Sequence, residues 1–600
     1  MATPGTSNAE LNPTNVDFLV VGTGPAGGSL ACFLAQNGLR GLMITNRRSL
    51  ADTPRAHITN MAALDCLRDI GLDDDCYKVG TSGDCMAHTR WSASMAGEEY
   101  ARIYSWGNSP RRKGDYELAS PSVPIDLPQS LLEPILTRYA THNGFCCRFD
   151  TEHVSFEQLE NDGGIISTLK DVVTGHIYSV KSKYLFGADG GRSRIAKGLQ
   201  LPFTEKPGGG FAINALVEAD LSHLMKNRVG NLHWILQPDQ ETSDASFLPV
   251  ANVRMVKPWH EWVFGLCPRP EAERQARSPH EYAAQIRQLI GDDTVDFKIK
   301  GVSTWVINET FADLYSKGDV FCLGDAVHRH PPNHGLGSNT CIQDAHNLAW
   351  KIAYVHRGWA GKELLSSYSD ERQPVGQDVV TQANASWRNH ATIWQVLGCF
   401  EADVKGGKAA LSALKDSSSL GQQRRDQLQK ALRLLDREEH GLGIEMNQRY
   451  RSTAVYLEDE KDGPPSFDTD PLEHYHPTTY PGSRLPHAWL SNAIPSAAVS
   501  TIDLAGKTGF TLITGIGGDG WRHAAEMATK ALGGVPLAVR QIGFRKQYED
   551  RYLDWAKLRG VKESGCVLVR PDYFVAWRCM EWEDDSPAKL MLVLRTVLSR

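Results

Sequence analysis

Val16-Asp17-Phe18-Leu19-Val20-Val21 is a short apolar run that stops at glycine, and apolar residues then recur at helical spacing from about Gly27 to Asn37. A second apolar run, Leu39 to Ile44, follows directly. Strand, helix and strand in this order predict a βαβ start, because parallel strands need a crossover of about this length. Between 201 and 304 the pattern breaks into short segments such as Asn252-Val253-Arg254-Met255-Val256 and Glu261-Trp262-Val263-Phe264-Gly265, which predict a strand-rich insertion. Val320-Phe321-Cys322-Leu323 and a helix from near Ser338 then resume the first pattern. The predicted class is α/β, with a discontinuous Rossmann-like domain over 13–200 and 305–385 and a β-rich domain, 201–304, inserted into it.

Residues 386–460 read as a helical segment, in which Ala409 to Leu434 has the Leu, Ala, Gln, Lys and Arg content of a surface or interface helix. Pro464, Pro465 and Pro477 mark a connector. A further α/β unit over 478–600 is predicted from strands at Phe510–Thr514, Cys566–Val569 and 574–577, around an Ala-rich helix beginning near Trp521.

Composition narrows the function classes. Lys and Arg number 64 against 71 Asp and Glu, and the short basic runs Arg111-Arg112-Lys113 and Arg424-Arg425 are isolated, which disfavours a nucleic-acid partner. No stretch of about 18 apolar residues occurs and the first seventeen residues lack signal-peptide character, so a soluble cytoplasmic protein with no membrane partner is expected. Twelve cysteines without C-x-x-C spacing indicate neither a disulfide framework nor a thiolate metal site. His328, His330 and His334 crowd a Pro-Pro turn but carry no ligand pattern on a regular element, so no metal is expected.

Gly22-Thr23-Gly24-Pro25-Ala26-Gly27 is G-x-G-x-x-G between a strand and a helix, the setting in which it binds a dinucleotide. Gly22 permits the tight turn, Gly24 lets pyrophosphate approach the backbone and Gly27 allows close packing, while Pro25 and Ala26 open the helix toward the phosphates. The carboxylate expected after the second strand is replaced by Thr45, with Arg47 and Arg48 beyond it. Thr45 offers one hydrogen bond and Arg47 suits phosphate, or ordinary surface. A second turn, Asp189-Gly190, follows the strand Tyr184-Leu185-Phe186, and its carboxylate either holds a pyridine nucleotide or orders the loop. A third, Gly324-Asp325, follows another buried strand, and Asp325 is placed to accept from a ribityl or ribose hydroxyl. Gly335, Leu336, Gly337, Ser338 and Asn339 then open a helix whose N–H groups suit an electron-rich ring carbonyl. FAD accounts for the two distant motifs, the first glycine turn and the Gly324-Asp325 segment, in one site.

These three motifs in this order resemble the FAD-dependent aromatic hydroxylases of the para-hydroxybenzoate hydroxylase class. Thr53–Asn60, 324–332, Ile342-Gln343-Asp344 and Glu445–Tyr450 resemble its phenol and 2,4-dichlorophenol hydroxylase branch, whose members are similar in having Thr at the position of Thr45. The resemblance implies that Arg55 contacts the flavin's phosphate or ribityl part, that Gln129 lies beside the isoalloxazine or caps its own helix, and that Pro331 packs on the ring face. It also implies that NADPH or NADH reduces FAD, that O2 adds at flavin C4a, and that the terminal oxygen of the hydroperoxide passes to an activated aromatic carbon. A homodimer and a thioredoxin-like fold for 478–600 are implied as well, and without C-x-x-C that unit should not exchange disulfides.

Phenol deprotonation raises electron density at the ortho and para carbons, so a base is required. By the same resemblance His57, at the place where related phenol hydroxylases carry an Asp, is the candidate, either as that base, as a hydrogen-bonding part of the flavin loop, or as a surface residue. Ile213, Asn214, Trp234, Met255 and Trp259 are candidate lining residues, although their alternation also fits plain sheet core. No arginine is evidently reserved for a substrate carboxylate, which favours a simple phenol over a benzoate. A larger polyketide-type aromatic is the alternative substrate, and a flavin-binding redox scaffold with little turnover is a remote one.

Overall fold

The computed structural model describes residues 14–161, 163–207, 210–269, 278–492 and 496–600. Its first sheet is built on five parallel strands in the order Val320–Cys322, Ile177–Gly187, Thr14–Val21, Gly41–Ile44 and Phe145–Arg148. Leu19, Val20, Leu185 and Phe186 are fully buried, because helices cover both faces of a parallel sheet and leave no polar side. Helix Pro25–Gln36 packs against helix Gly337–His356, joining the start of the chain to the segment that resumes after the insertion.

The inserted sheet has seven strands, ordered Phe297–Val306, Phe211–Ala219, Glu261–Pro268, Phe247–Lys257, Leu232–Leu236, His88–Ser92 and Glu99–Tyr104. It is wider than the stretch 201–304, since two strands come from before residue 105. His88–Ser92 pairs in parallel with Leu232–Leu236, a partner remote in sequence, which local patterning does not reveal. Strand alternation gives the sheet two faces. Ile213, Val253, Met255, Phe264 and Leu266 point to one face and form a core with Tyr282, Ile286 and Leu289 of the helical segment beneath. Asn214, Trp234, Asn252 and Arg254 occupy the other.

The predicted helix from Ala409 to Leu434 is broken. Val404–Lys415 and Ser419–Glu439 are separate helices, because Ser418 caps the second, its hydroxyl accepting from Gly421 N–H at 3.2 Å. The helix before them, Ser367–Val396, begins earlier than residue 386, and the chain after Met446 is irregular up to residue 460. The C-terminal unit orders its strands Leu537–Gln541, Phe510–Thr514, Cys566–Val569 and Val575–Cys579, with helices Gly520–Ala531 and Ser586–Val597 packed together, a thioredoxin-like arrangement. Cys566 is fully buried and its thiol lies well above the ordinary range because of that burial. No described helix is long and apolar enough to cross a membrane.

Candidate active site

The three glycine turns meet at the carboxyl ends of adjacent parallel strands, where open α/β sheets bind ligands. Gly22 has φ +116°, and a Cβ there would collide with the Ala188 carbonyl, just before Asp189. A Cβ on Gly27 would collide with the Gly22 carbonyl. Gly24 differs: its nearest neighbour would be Glu133 Oε1, 3.9 Å away, so its face is open. Gly24 also caps helix Pro25–Gln36 with no side chain over the helix end, which leaves the first amides for a ligand. Gly324, at φ +64°, would place a Cβ 2.9 Å from Ala26 Cβ.

Charged groups line this junction. Burial lowers the Arg55 guanidinium from its ordinary value and Arg47 adds repulsion, while Glu133, Asp325 and Asp52 oppose the shift. Protein packed around the Asp325 carboxyl pushes it up by desolvation, against the pull of His328, Arg55 and Arg329. Glu133, which the sequence reading passed over, accepts from Gln129 Nε2 at 2.5 Å and from Ala51 N–H at 2.6 Å. Its spacing four residues after Gln129 on helix Gln129–His142 was the available signal. Gln129 N–H donates to the Ala56 carbonyl at 2.8 Å, tying that helix to the loop of Arg55 and His57. Thr45 is buried and accepts from Arg47 N–H at 3.3 Å, so its hydroxyl serves its own turn. Asp189 accepts from Arg194 N–H at 2.8 Å, which orders the loop, while burial raises its carboxyl and Oδ1 has no partner among the described residues.

Gly337–His356 is a 20-residue helix with no side-chain cap, so the amides of Gly337, Ser338 and Asn339 lack intrahelical acceptors. Leu336 and Pro331 are buried beside this end. Gly335 takes φ +64°, close to Ile58. The Asn339 side chain accepts from Asn60 N–H at 2.9 Å and donates to the Ile58 carbonyl at 2.8 Å, clamping the His57 loop to the helix. An open glycine face, two uncapped helix starts and basic Arg47 and Arg55 suit a pyrophosphate and an electron-rich ring, so the residues present fit FAD.

A buried polar cluster surrounds His57, two residues beyond Arg55. His57 Nδ1 is 3.3 Å from Asp126 Oδ1, and the other Asp126 oxygen accepts from Asn231 Nδ2 at 2.6 Å and from an Arg254 nitrogen at 3.3 Å. Asp126 pairs with Ile58 across a two-stranded ladder, which fixes its backbone next to His57. Burial pushes Asp126 up, but Arg254, His57 and Asn231 outweigh it and hold the carboxyl below its ordinary range. Burial and Arg254 lower His57, and Asp126 opposes them. Only His57 of these four was singled out from sequence, because the others come from distant strands.

The five candidate lining residues part company. Ile213 and Met255 are buried in the core on the opposite face, with Trp259 packed beside them. Trp234 shares the face of Asn214 but packs against His390, with ring centroids 4.5 Å apart and planes tilted by 40°, beneath the long helices. Asn214 remains half-buried and accepts from Trp305 Nε1 at 3.2 Å. Alternation separates these residues into faces without saying which face meets the cofactor domain. His328 bonds Asp344 and His334 bonds Ser386, and no group of His, Cys, Asp and Glu able to hold a metal occurs among the described residues.

Comparison with known proteins decides the family. Residues 15–383 match the FAD binding domain family and 478–600 match the C-terminal domain of aromatic-ring hydroxylases. The chain belongs to the FAD-dependent aromatic-ring hydroxylases. This hydroxylase is 41% identical to the 2,4-dichlorophenol 6-monooxygenase of Cupriavidus pinatubonensis, over 97% of its own chain and 96% of that one. It is 40% identical to a Pseudomonas phenol 2-monooxygenase, over 98% and 93% of the two chains. The crystal structure of the flavin-dependent monooxygenase PieE with FAD and substrate superposes with a TM-score of 0.92 at 39% identity, covering 98% of this chain and all of that one. The hydroxylase is thus a flavoprotein monooxygenase with FAD as its cofactor.

Proposed function

We propose that the hydroxylase acts on a small phenol and that His57 removes the phenolic proton. FAD, when bound and reduced by NADPH or NADH, would activate O2 for transfer of one oxygen atom to the ring. The phosphate-facing turns and Arg47, Arg55 and Asp325 hold FAD, and the chain's remaining task is to make the aromatic ring nucleophilic in a dry cleft.

The observation that carries this reading is the His57–Asp126 contact. A carboxylate only accepts, so the tautomer of neutral His57 that serves Asp126 has its proton on Nδ1. Nε2 then presents a lone pair. Because His57 titrates below the ordinary value of 6.5, it is neutral and able to accept at neutral pH. Arg254 supplies positive charge that favours a phenolate nearby, while its contact with Asp126 leaves it less available to a substrate carboxylate. Two phenol-named relatives at about equal identity over nearly the full chain support the small-phenol class. The reading includes a cytoplasmic homodimer, in keeping with the family resemblance.

Exchange of His57→Gln tests it. The variant should retain FAD but hydroxylate a phenol about a hundredfold more slowly below that phenol's own pKa, converging with the wild type above it. Equal rates between about pH 6 and pH 9 would remove His57 from this role.

A further inference from the structure

The turn Gly324–Asp325 is held from a distance. Gly324 N–H donates to Asp344 Oδ2 at 3.1 Å, and the same oxygen lies 2.9 Å from His328 Nε2. The other oxygen accepts from Arg372 Nε at 2.7 Å. The Asp344, Arg372 and His328 side chains are all fully buried. Arg372 is fixed from behind, donating to Gln448 Oε1 at 2.8 Å and to the Tyr450 hydroxyl at 3.0 Å. The Tyr450 ring stacks on Phe574 of the thioredoxin-like domain, with centroids 3.8 Å apart and planes at 21°.

The preceding residue, Glu371, grips the same domain. It accepts from Arg570 Nη2 at 2.8 Å and from Lys351 Nζ at 2.7 Å, and all three side chains are fully buried. Adjacent residues of one helix therefore join the C-terminal domain to the flavin turn. A buried charge that loses its partner must find another or remain unpaired at high cost, so such a network tolerates few alternative arrangements. Phe574, Tyr450, Arg372, Asp344 and the Gly324 amide thus form one continuous line of contacts.

We infer that the thioredoxin-like domain is a positioning element of the flavin site, with Tyr450, Arg372 and Asp344 as the positioning residues that set the Gly324–Asp325 turn. This rests on the reading that the turn touches FAD.

The test uses the full chain and four variants: Tyr450→Phe, which keeps the stack and loses one bond; Arg372→Met; Asp325→Ala; and Val593→Ala, a cavity in the C-terminal core off this path. The FAD dissociation constant, the visible flavin spectrum and Tm are measured for each. Tyr450→Phe should weaken FAD several-fold and Arg372→Met about tenfold or more, both with a shifted spectrum. Val593→Ala should lower Tm yet leave FAD affinity within about twofold. FAD affinity that is unchanged in Tyr450→Phe and Arg372→Met, or that falls with Tm in Val593→Ala as well, overturns the inference alone. Unchanged affinity in Asp325→Ala overturns the underlying reading and the inference with it. If Arg372→Met does not fold, Tyr450→Phe decides.

Discussion

Gly324 and Ala26 lie so close that a methyl group on the glycine would sit 2.9 Å from the alanine Cβ. This contact brings the turn bearing Asp325 against the start of the first helix, so one dinucleotide can span both. Within the first turn the glycines have separable duties. Gly24→Val should fold with near-normal Tm and lose FAD affinity by about a hundredfold or more, since its face is open to the ligand. Gly27→Ala should lower Tm even without FAD, because its Cβ strikes the Gly22 carbonyl. Calorimetry with and without FAD distinguishes the two.

Asp126 orients His57 and compensates Arg254. Asp126→Asn should slow phenol hydroxylation by about a hundredfold while FAD stays bound. The sign of its pH effect follows from the neighbours. Asp126 raises His57, so its removal lowers His57 further and moves the acid limb of the rate profile to lower pH. Steady-state rates across that limb check both, and an acid limb displaced upward would contradict the arrangement.

The junction with the C-terminal domain carries a protonation of its own. Burial opposes charge on His346, but Cys66 and Asp69 outweigh it and raise the imidazole to about 10. Asp69 also accepts from the Tyr573 hydroxyl at 2.9 Å, so this pair spans the two domains. A folded-state value above the unfolded one adds stability that is complete below the ordinary 6.5 and is lost as pH rises toward about 10. Chemical unfolding should show stability falling through this window in the wild type and a flatter profile in His346→Gln.

The two faces of the inserted sheet predict different consequences. Met255→Ala should cost about 2–5 kcal/mol through a cavity in the core and leave the KM for a phenol unchanged. Asn214→Leu, on the cleft face, should change KM with little loss of stability. Unfolding curves and kinetics on the same two proteins make the comparison.

These residues also show what a sequence can carry. The turns at Gly22 and Gly324 were legible because a positive φ and a close approach leave their mark in the residue type itself. The break at Ser418 was written in capping chemistry but masked by the helical composition on either side. Alternation sets Ile213 and Asn214 on opposite faces of one strand, but the register that puts Met255 on the face of Ile213, and which face meets the first domain, belong to tertiary structure. Asp126, Asn231 and Arg254 meet only through tertiary packing, and nothing local distinguishes them from other residues in or beside strands. Asp344 stood within a motif, but its role depends on Arg372 and Gly324, which are far from it along the chain.

The most direct test of the account is turnover of the FAD-loaded enzyme with NADPH and heavy-isotope oxygen gas over a panel of simple phenols, followed by mass spectrometry. The account predicts a phenolic product that gains one labelled oxygen atom, formed in step with NADPH consumption. NADPH consumed only to hydrogen peroxide, with no phenol in the panel oxygenated, would contradict it.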